Sequence, residues 1–284
     1  MSKAIFIECN TGISGDMSVA ALLDLGADRD VLNKMLESLK TVVGGFDVKI
    51  TRVAKAGIGA SDFDVILDND NHDHDMDYLY GHDHNEHGHH HDHHEHGHHH
   101  GHDHGHHHHE HRSYLDVKEI IDKTEMTEGA RNLAKKIFGI VASAEAAVHD
   151  RPIDEVHFHE VGAVDSIVDI LSAAVCFDDL VTKNDIKKCI ITRLVDGCGT
   201  VRCQHGVIPV PVPAVMKIAE QTGVRLAITE RRGEYVTPTG AAFAAAVKTD
   251  DRLPESFSVL KVGIGAGKRD YEIPGMVRAM IIEA

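Results

Sequence analysis

The chain has 284 residues, 42% of them apolar, and a formal net charge of −16 at neutral pH. This length and apolar content suffice for one large domain or two smaller ones. The acidic excess repels phosphate backbones and anionic membranes, which argues against a nucleic-acid or lipid partner. Because no apolar run approaches the roughly 18–20 residues that span a bilayer and the N-terminus lacks a signal-peptide pattern, the sequence predicts a cytoplasmic protein.

The cysteines give a second indication of the compartment. Their number is odd and they include no C-x-x-C pair, which argues against both a disulfide framework and a structural zinc knuckle. We expect reduced and mostly buried thiols at Cys9, Cys176, Cys189, Cys198 and Cys203.

The first 68 residues predict an α/β block. Residues 3–9 alternate in apolar character as a strand does, and a glycine-containing turn then leads into a helical run over 17–25. A second helix is predicted over 30–39, followed by β-branched strands over 46–53 and 63–67.

A histidine-rich tract follows. Residues 71–111 hold 21 of the 25 histidines and nine acidic residues but no Lys or Arg. Imidazole ligates nickel, zinc and copper, yet this spacing fixes no geometry and selects no metal. With few apolar residues the tract cannot offset the entropy of ordering its backbone, so 69–112 is predicted to be a disordered metal-binding insertion. The candidate ligands are the histidines of its runs: His89, His90, His91, His98, His99, His100, His106, His107, His108 and His109.

Residues 113–284 predict a helical hairpin and a second α/β block, packed with residues 1–68 as one domain. Helices are predicted over 114–123, over 127–149, around 164–175 and from Pro238 onward. Strands are predicted over 188–194, 224–228, 257–262 and 277–282, and Pro209, Pro211 and Pro213 forbid regular structure between them. The alternation of strands and helices predicts a mixed α/β fold, with α+β as the alternative.

One short segment holds the densest set of candidate site residues. In an extended strand His157 and His159 project from the same face. Glu160 follows, and Asp165 and Asp169 share one face of a predicted helix because they are four residues apart. Imidazoles and carboxylates together suit a divalent metal or proton transfer. The alternative is that Asp165 caps the helix and the histidines hydrogen-bond in a core.

The loop after the first predicted strand offers further candidate ligands. Ser14, Gly15 and Asp16 lie where a strand leads into a helix N-terminus, a place that favours an anion such as phosphate. Asp16 is equally suited to cap that helix.

Other loops carry an imidazole, hydroxyls and cations. His205, Thr237 and Thr239 are candidates for ligand binding, or else for turn formation alone. The glycine-rich stretch 263–270 matches neither a dinucleotide fingerprint nor a P-loop, so we interpret it as a turn that carries Lys268 and Arg269.

Five blocks of the sequence resemble those of the LarC family. They are N-T-G-I-S-G-D-M from Asn10, E-V-H-F-H-E-V-G-A-V-D-S-I-V-D-I from Glu155, H-G-V-I-P-V-P-V-P from His205, V-T-P-T-G-A-A from Val236 and G-I-G-A-G-K-R-D from Gly263. The resemblance implies a cyclometallase that uses CTP with Mg or Mn to place Ni(II) in pyridinium-3,5-bisthiocarboxylic acid mononucleotide, forming one metal–carbon and two metal–sulfur bonds. The product, a nickel-pincer nucleotide cofactor, serves lactate racemase and related client enzymes.

The resemblance also implies partners and roles. Family members usually continue into a C-terminal domain associated with CTP binding, whereas this chain stops at Ala284, so a separately made C-terminal portion and a homo-oligomer are expected partners. We expect His157, His159, Glu160, Asp165 and Asp169 to hold or relay metal and protons. Cofactor binding is expected at Ser14, Gly15, Asp16, His205, Thr237, Thr239, Lys268 and Arg269. The alternative function is a nickel storage protein or metallochaperone without catalytic activity.

Deletion of residues 71–111 is expected to remove most of the bound nickel and to leave a folded protein, because the tract supplies ligands without apolar anchors. Nickel stoichiometry, circular dichroism and thermal unfolding of the deletion variant test this. Loss of the unfolding transition would show that the fold depends on the tract.

Overall fold

A computed structural model describes residues 2–68, 112–155, 157–158, 163–203 and 205–284. The histidine-rich tract, His159 and Glu160 lie outside these ranges, and for His157 the description covers the backbone alone. The predicted disorder of the tract and the ligand roles of its histidines therefore stay predictions.

A six-stranded mixed sheet contains both ends of the described chain. Its strands, in spatial order, are β2 (Phe46–Lys55), β3 (Ile58–Leu67), β11 (Ser258–Asp270), β12 (Pro274–Glu283), β1 (Lys3–Glu8) and β6 (Lys188–Ile190). The β1–β6 and β3–β11 pairs are parallel, and the other three pairs are antiparallel. With the helices described next, this sheet confirms the predicted mixed α/β fold.

The helices in the described ranges pack mainly on one another and on one face of this sheet. They are α1 (Gly15–Leu25), α2 (Arg29–Val42), α3 (Tyr114–Lys123), α4 (Glu128–His149), α5 (Val164–Lys183), α6 (Pro213–Thr222) and α7 (Pro238–Val247). Helix α1 lies on β3, β11 and β12, and α5 packs behind α1. Helix α4 contacts α5, α6 and α7. No helix among the described residues has the length and apolar run needed to cross a membrane.

Three small two-stranded units complete the described structure. Strand β7 (Leu194–Cys198) runs parallel to β10 (Leu226–Arg232). Strands β8 (Thr200–Cys203) and β9 (Gly206–Pro209) form an antiparallel hairpin. Strand β4 (Arg112–Ser113) pairs with β5 (His157–Phe158), which follows a short 3₁₀ helix (Ile153–Glu155).

The glycines of the stretch 263–270 lie in a strand, so its interpretation as a turn is wrong. Gly263, Gly265 and Gly267 recur every second residue of β11 and face α1. A Cβ atom at Gly263 would overlap the backbone of Leu25, and one at Gly265 would overlap the carbonyl of Met17. Gly263 and Gly265 therefore let the helix approach the sheet more closely than any side chain would allow, and Gly267 leaves room for the Met17 side chain.

The strand predicted over 188–194 is also wrong, because two strands of different sheets occupy this range. Strand β6 ends at Ile190, and the backbone N–H of Ile191 donates to Asp250 (3.1 Å) rather than continuing the ladder with β1. The chain re-enters a sheet at Leu194, beside β10. Helix α6, which the sequence analysis missed, begins at Pro213, a residue type that suits a first helical turn.

Replacement of Gly265 by Ala is expected to destabilise the protein by about 1–3 kcal/mol or more, because backbone atoms of α1 occupy the place of the new methyl group. Gly59→Ala is the matched control, since its Cβ would meet only the flexible end of Arg52 at 3.4 Å. Chemical denaturation measures both changes. Equal stabilities of the two variants would contradict the role assigned to the close approach.

Candidate functional site

A cleft of about 500 Å³ lies where α1, α5 and α7 begin. Its lining combines residues from the loop after β1, the ends of β3 and β11, and the first turns of the three helices. Nine of the residues predicted from separate parts of the sequence come together here: Ser14, Gly15, Asp16, Asp165, Asp169, Thr237, Thr239, Lys268 and Arg269.

The N-termini of α1, α5 and α7 place backbone N–H groups around the cleft. Their N-cap residues are Ser14, Ala163 and Thr237, and in this set only Thr237 accepts a capping hydrogen bond through its side chain, from Gly240 (3.2 Å). Unpaired N–H groups and aligned peptide dipoles make such ends favourable for anions. The alternative that Asp16 or Asp165 caps its helix is wrong. Ser14 and Ala163 are the N-cap residues, and both aspartates lie within the first helical turn.

Asp169 joins α5 to the start of α1. A Cβ atom at Gly15 would overlap the Asp169 carboxyl group, so glycine is needed at this contact. The backbone N–H of Asp16 donates to Asp169, which thereby caps α1 from a different helix. The Oδ1 atom of Asp169 is buried and has no hydrogen-bond partner among the described residues.

The pKa of Asp169 is well above the usual range of a carboxyl group. Burial is the main cause, and the negative charges of Asp16 and Asp165 add to it. Burial therefore favours the protonated form of Asp169, while a cation placed among these three carboxyl groups would favour its ionised form.

The entries to α1 and α7 are hydrogen-bonded to each other. The backbone of Ile13 donates to Tyr235 (2.9 Å) and accepts from Thr237 (3.0 Å), which forms an isolated parallel bridge. Gly12 has a φ of +93°, and a Cβ atom there would overlap the Tyr235 carbonyl. This contact fixes Ser14 and Thr237 on adjacent sides of the cleft.

Asp196 stabilises this bridge through hydrogen bonds to its backbone. Its Oδ1 atom accepts the backbone N–H groups of Gly197 (2.8 Å), Tyr235 (2.8 Å) and Val236 (3.1 Å), and the residue is only 1% exposed. Burial raises the pKa of Asp196, and the three N–H donors oppose that shift. Sequence reasoning missed this residue because two of its three partners, Tyr235 and Val236, lie 39 and 40 positions away.

The two cations of the cleft are held by carboxylates. Lys268 forms an ion pair with Asp64. Arg269 donates to Glu234 (2.7 Å) and to the Tyr271 hydroxyl (3.0 Å). Burial alone would lower the pKa of Arg269, but Glu234 and Tyr271 more than reverse the shift, so the guanidinium stays charged.

His205 is not among the residues that line this cleft. It lies in the turn between β8 and β9, where its Nδ1 atom is 3.8 Å from the Cys203 sulfur and its ring centroid is 5.0 Å from that of His149. Partial burial lowers the pKa of His205, and the nearby His149 lowers it further.

The predicted metal ligands of the segment before α5 are outside the described side chains. The backbone of His157 pairs with Ser113, and α5 then brings Asp165 to the cleft. Where side chains are described, no three or more His, Cys, Asp or Glu residues converge in a geometry that holds a metal ion. The role of His157, His159 and Glu160 stays a prediction.

Comparison with known proteins identifies the family. A family model described as nickel insertion protein matches residues 5–284. The chain belongs to the nickel insertion protein family. Proteins named pyridinium-3,5-bisthiocarboxylic acid mononucleotide nickel insertion protein are similar to it: one from Alkaliphilus metalliredigens at 51% identity over 100% of this chain and 61% of the relative, and one from Clostridium acetobutylicum at 43% identity over 99% and 64%.

These matches confirm the resemblance to the LarC family that the sequence blocks indicated. A relative from Geobacillus kaustophilus with the same name is 36% identical over 99% of this chain and 60% of its own length. The chain thus spans about three fifths of the length of these curated relatives of the nickel insertion protein family. No solved structure matches it.

Asp169→Asn is expected to raise the melting temperature at pH 8, by about 2–4 °C for each kcal/mol regained. Because the pKa of Asp169 is raised in the folded protein, its contribution to stability is full below the usual Asp pKa near 3.8 and is lost as pH rises through the folded value. Asparagine keeps an oxygen for the Asp16 N–H and carries no charge at any of these pH values.

Thermal unfolding between pH 4 and pH 8 measures this effect. The difference between the variant and the parent protein should shrink toward pH 4, and Asp154→Asn, at an exposed position outside the cleft, should show no such trend. A variant that loses stability most strongly at pH 8 would contradict the raised pKa.

Proposed function

We propose that this chain provides the substrate-binding part of a nickel cyclometallase of the lyase class, which inserts Ni²⁺ into pyridinium-3,5-bisthiocarboxylic acid mononucleotide. The cleft carries this proposal, because it unites residues of three of the sequence blocks that resemble the LarC family, together with residues of α5 from a fourth. Relatives that carry this activity in their names support the choice of substrate.

The charges of the cleft suit the groups that the substrate name specifies. A mononucleotide phosphate is an anion, and the N-termini of α1 and α7 with Lys268 and Arg269 offer N–H groups and positive charge. A pyridinium ring and an incoming Ni²⁺ ion are cations, and Asp16, Asp165 and Asp169 line the same cleft with carboxyl groups. One cleft therefore offers groups of complementary charge to the phosphate, the pyridinium ring and the metal ion.

The reaction also requires a proton acceptor. Formation of a nickel–carbon bond breaks a ring C–H bond, so one proton leaves the substrate for each metal–carbon bond formed. Asp165 lies in the first turn of α5 at the cleft and is only partly buried, which suits a group that exchanges protons with solvent. A dication that approaches Asp169 would favour its ionised form, because the positive charge opposes the burial and the like charges that raise its pKa.

The charge of the described cleft suits a mononucleotide better than CTP. Five carboxyl groups, those of Asp16, Asp64, Asp165, Asp169 and Glu234, outnumber the two cations, and both cations are already paired with carboxylates. A triphosphate carries more negative charge than a mononucleotide phosphate and would meet stronger repulsion here. We therefore assign CTP, with its Mg or Mn ion, to a C-terminal portion of the kind that the LarC resemblance implies.

The cellular compartment and the partners belong to the same proposal. The free thiols of all five cysteines suit the reducing cytoplasm. A lactate racemase-type client would receive the product, and a homo-oligomer remains an expected assembly.

The second candidate function is nickel storage or delivery to a separate catalyst. The 21 histidines between residues 71 and 111 favour it, because such a density exceeds what one insertion site requires. A storage protein does not need a cleft that brings five acidic groups and two cations together, so we rank insertion first.

Mass spectrometry of the nucleotide decides between these functions. The full chain is first incubated with Ni²⁺, the precursor and CTP. We expect the nickel-containing product when a separately made C-terminal portion is added. Asp165→Asn should lower product formation by at least about 100-fold, the lower range for loss of a general base. Asp154→Asn, which removes an acid outside the cleft, should leave it unchanged. Nickel binding without product under all conditions would support storage instead.

A further inference from the structure

A second group of metal-ligating side chains lies outside the cleft, where the β8–β9 hairpin meets the end of α4. Cys203 is the last residue of β8, His205 lies in the turn, and His149 is the last residue of α4. The Cys203 sulfur is 3.8 Å from His205 Nδ1, and the rings of His205 and His149 have centroids 5.0 Å apart.

These separations are close to those of ligands that share one ion. With metal–sulfur and metal–nitrogen bonds of about 2.3 and 2.0–2.1 Å at a tetrahedral ion, the sulfur and nitrogen lie about 3.5 Å apart. The same bond lengths place two imidazole centroids on one ion about 5 Å apart. Cys203 and His205 therefore need a movement of only a few tenths of an ångström, and the rings need reorientation rather than approach.

The backbone holds Cys203 and His205 in this relation. Cys203 pairs with Gly206 in the hairpin, and Gly206 has a φ of +86°, which glycine adopts without strain. The sulfur and the imidazole are thus fixed to the two sides of one tight turn.

Helix α4 presents the third side chain with a carboxylate beside it. Glu145 lies one helical turn before His149, and its Oε2 atom is 3.6 Å from His149 Nε2. A carboxylate beside one ring nitrogen is the usual arrangement behind a metal-bound histidine, because it leaves the other nitrogen for the ion. The side chains of both residues are partly exposed, so an ion here is open to exchange.

We infer that Cys203 and His205, with His149 as third ligand, form an exchangeable binding site for one borderline divalent ion such as Ni²⁺. One thiolate and two imidazoles favour nickel, zinc or copper over magnesium and calcium. Among the described residues these three side chains are not arranged around a common centre. We therefore expect the ion to draw them together when it binds. The inference concerns binding alone and stands independently of the insertion activity.

The test is the near-ultraviolet thiolate-to-metal charge-transfer absorption when Ni²⁺ alone is added to the full chain. This band requires a cysteine ligand, and the histidine-rich tract contains no cysteine, so its bound nickel does not contribute. Cys9, Cys176 and Cys189 are buried, which leaves Cys198 as the matched control for Cys203. We expect the band to saturate at one equivalent per chain beyond the nickel that the tract takes up.

Cys203→Ser should abolish the band, and Cys198→Ser should retain it. His205→Ala and His149→Ala should each raise the half-saturating Ni²⁺ concentration at least tenfold, while far-ultraviolet circular dichroism stays that of the parent chain. Absence of the band in the parent chain, or its persistence in folded Cys203→Ser, would overturn the inference. A chain that shows the band yet forms no nickel nucleotide would count against the proposed function alone.

Discussion

The contact of α1 with the sheet is the constraint on which the cleft depends. Gly263 and Gly265 of β11 leave room for the helix backbone, and Gly15 leaves room for Asp169 at the start of the same helix. Because neither side can move away without opening the core, the N-terminus of α1 is held against α5. The first turns of both helices, with Asp16 and Asp165, therefore face a common space. Close packing at these glycines thus determines where the charged groups of the cleft lie.

Charge in the cleft is balanced by the backbone as well as by cations. Asp16 and Asp165 lie in first helical turns, where the peptide dipoles and N–H groups stabilise a carboxylate. Asp169 lies deeper, and burial with two like charges nearby raises its pKa. Burial favours the protonated form of Asp169, and a dication bound nearby would favour its ionised form. A site of this kind couples the arrival of a metal ion to the departure of a proton.

Sequence reasoning recovered local features and missed contacts between distant segments. The helix that carries Asp165 and Asp169 follows from apolar spacing within a few turns, and the structure confirms that helix. The glycines of β11 led us to predict a turn where the structure has a strand, because a strand that packs under a helix can be as rich in glycine as a loop. Glu234 and Asp196 gave no signal, since Arg269 lies 35 residues from Glu234 and Tyr235 lies 39 residues from Asp196 in the chain. Those partners become apparent only once the sheets are assembled.

The donor types argue for a direction of metal transfer. The tract offers imidazole nitrogen, the Cys203 site adds sulfur, and the described part of the cleft offers carboxylate oxygen. Movement of a borderline ion from nitrogen and sulfur to oxygen alone is unfavourable. Within the proposed function, the two thiocarboxylate sulfurs and the ring carbon of the substrate supply the stronger ligands. The cleft carboxylates then need only orient the nucleotide and accept its proton, and weak nickel binding by them is an advantage because it does not compete with the product.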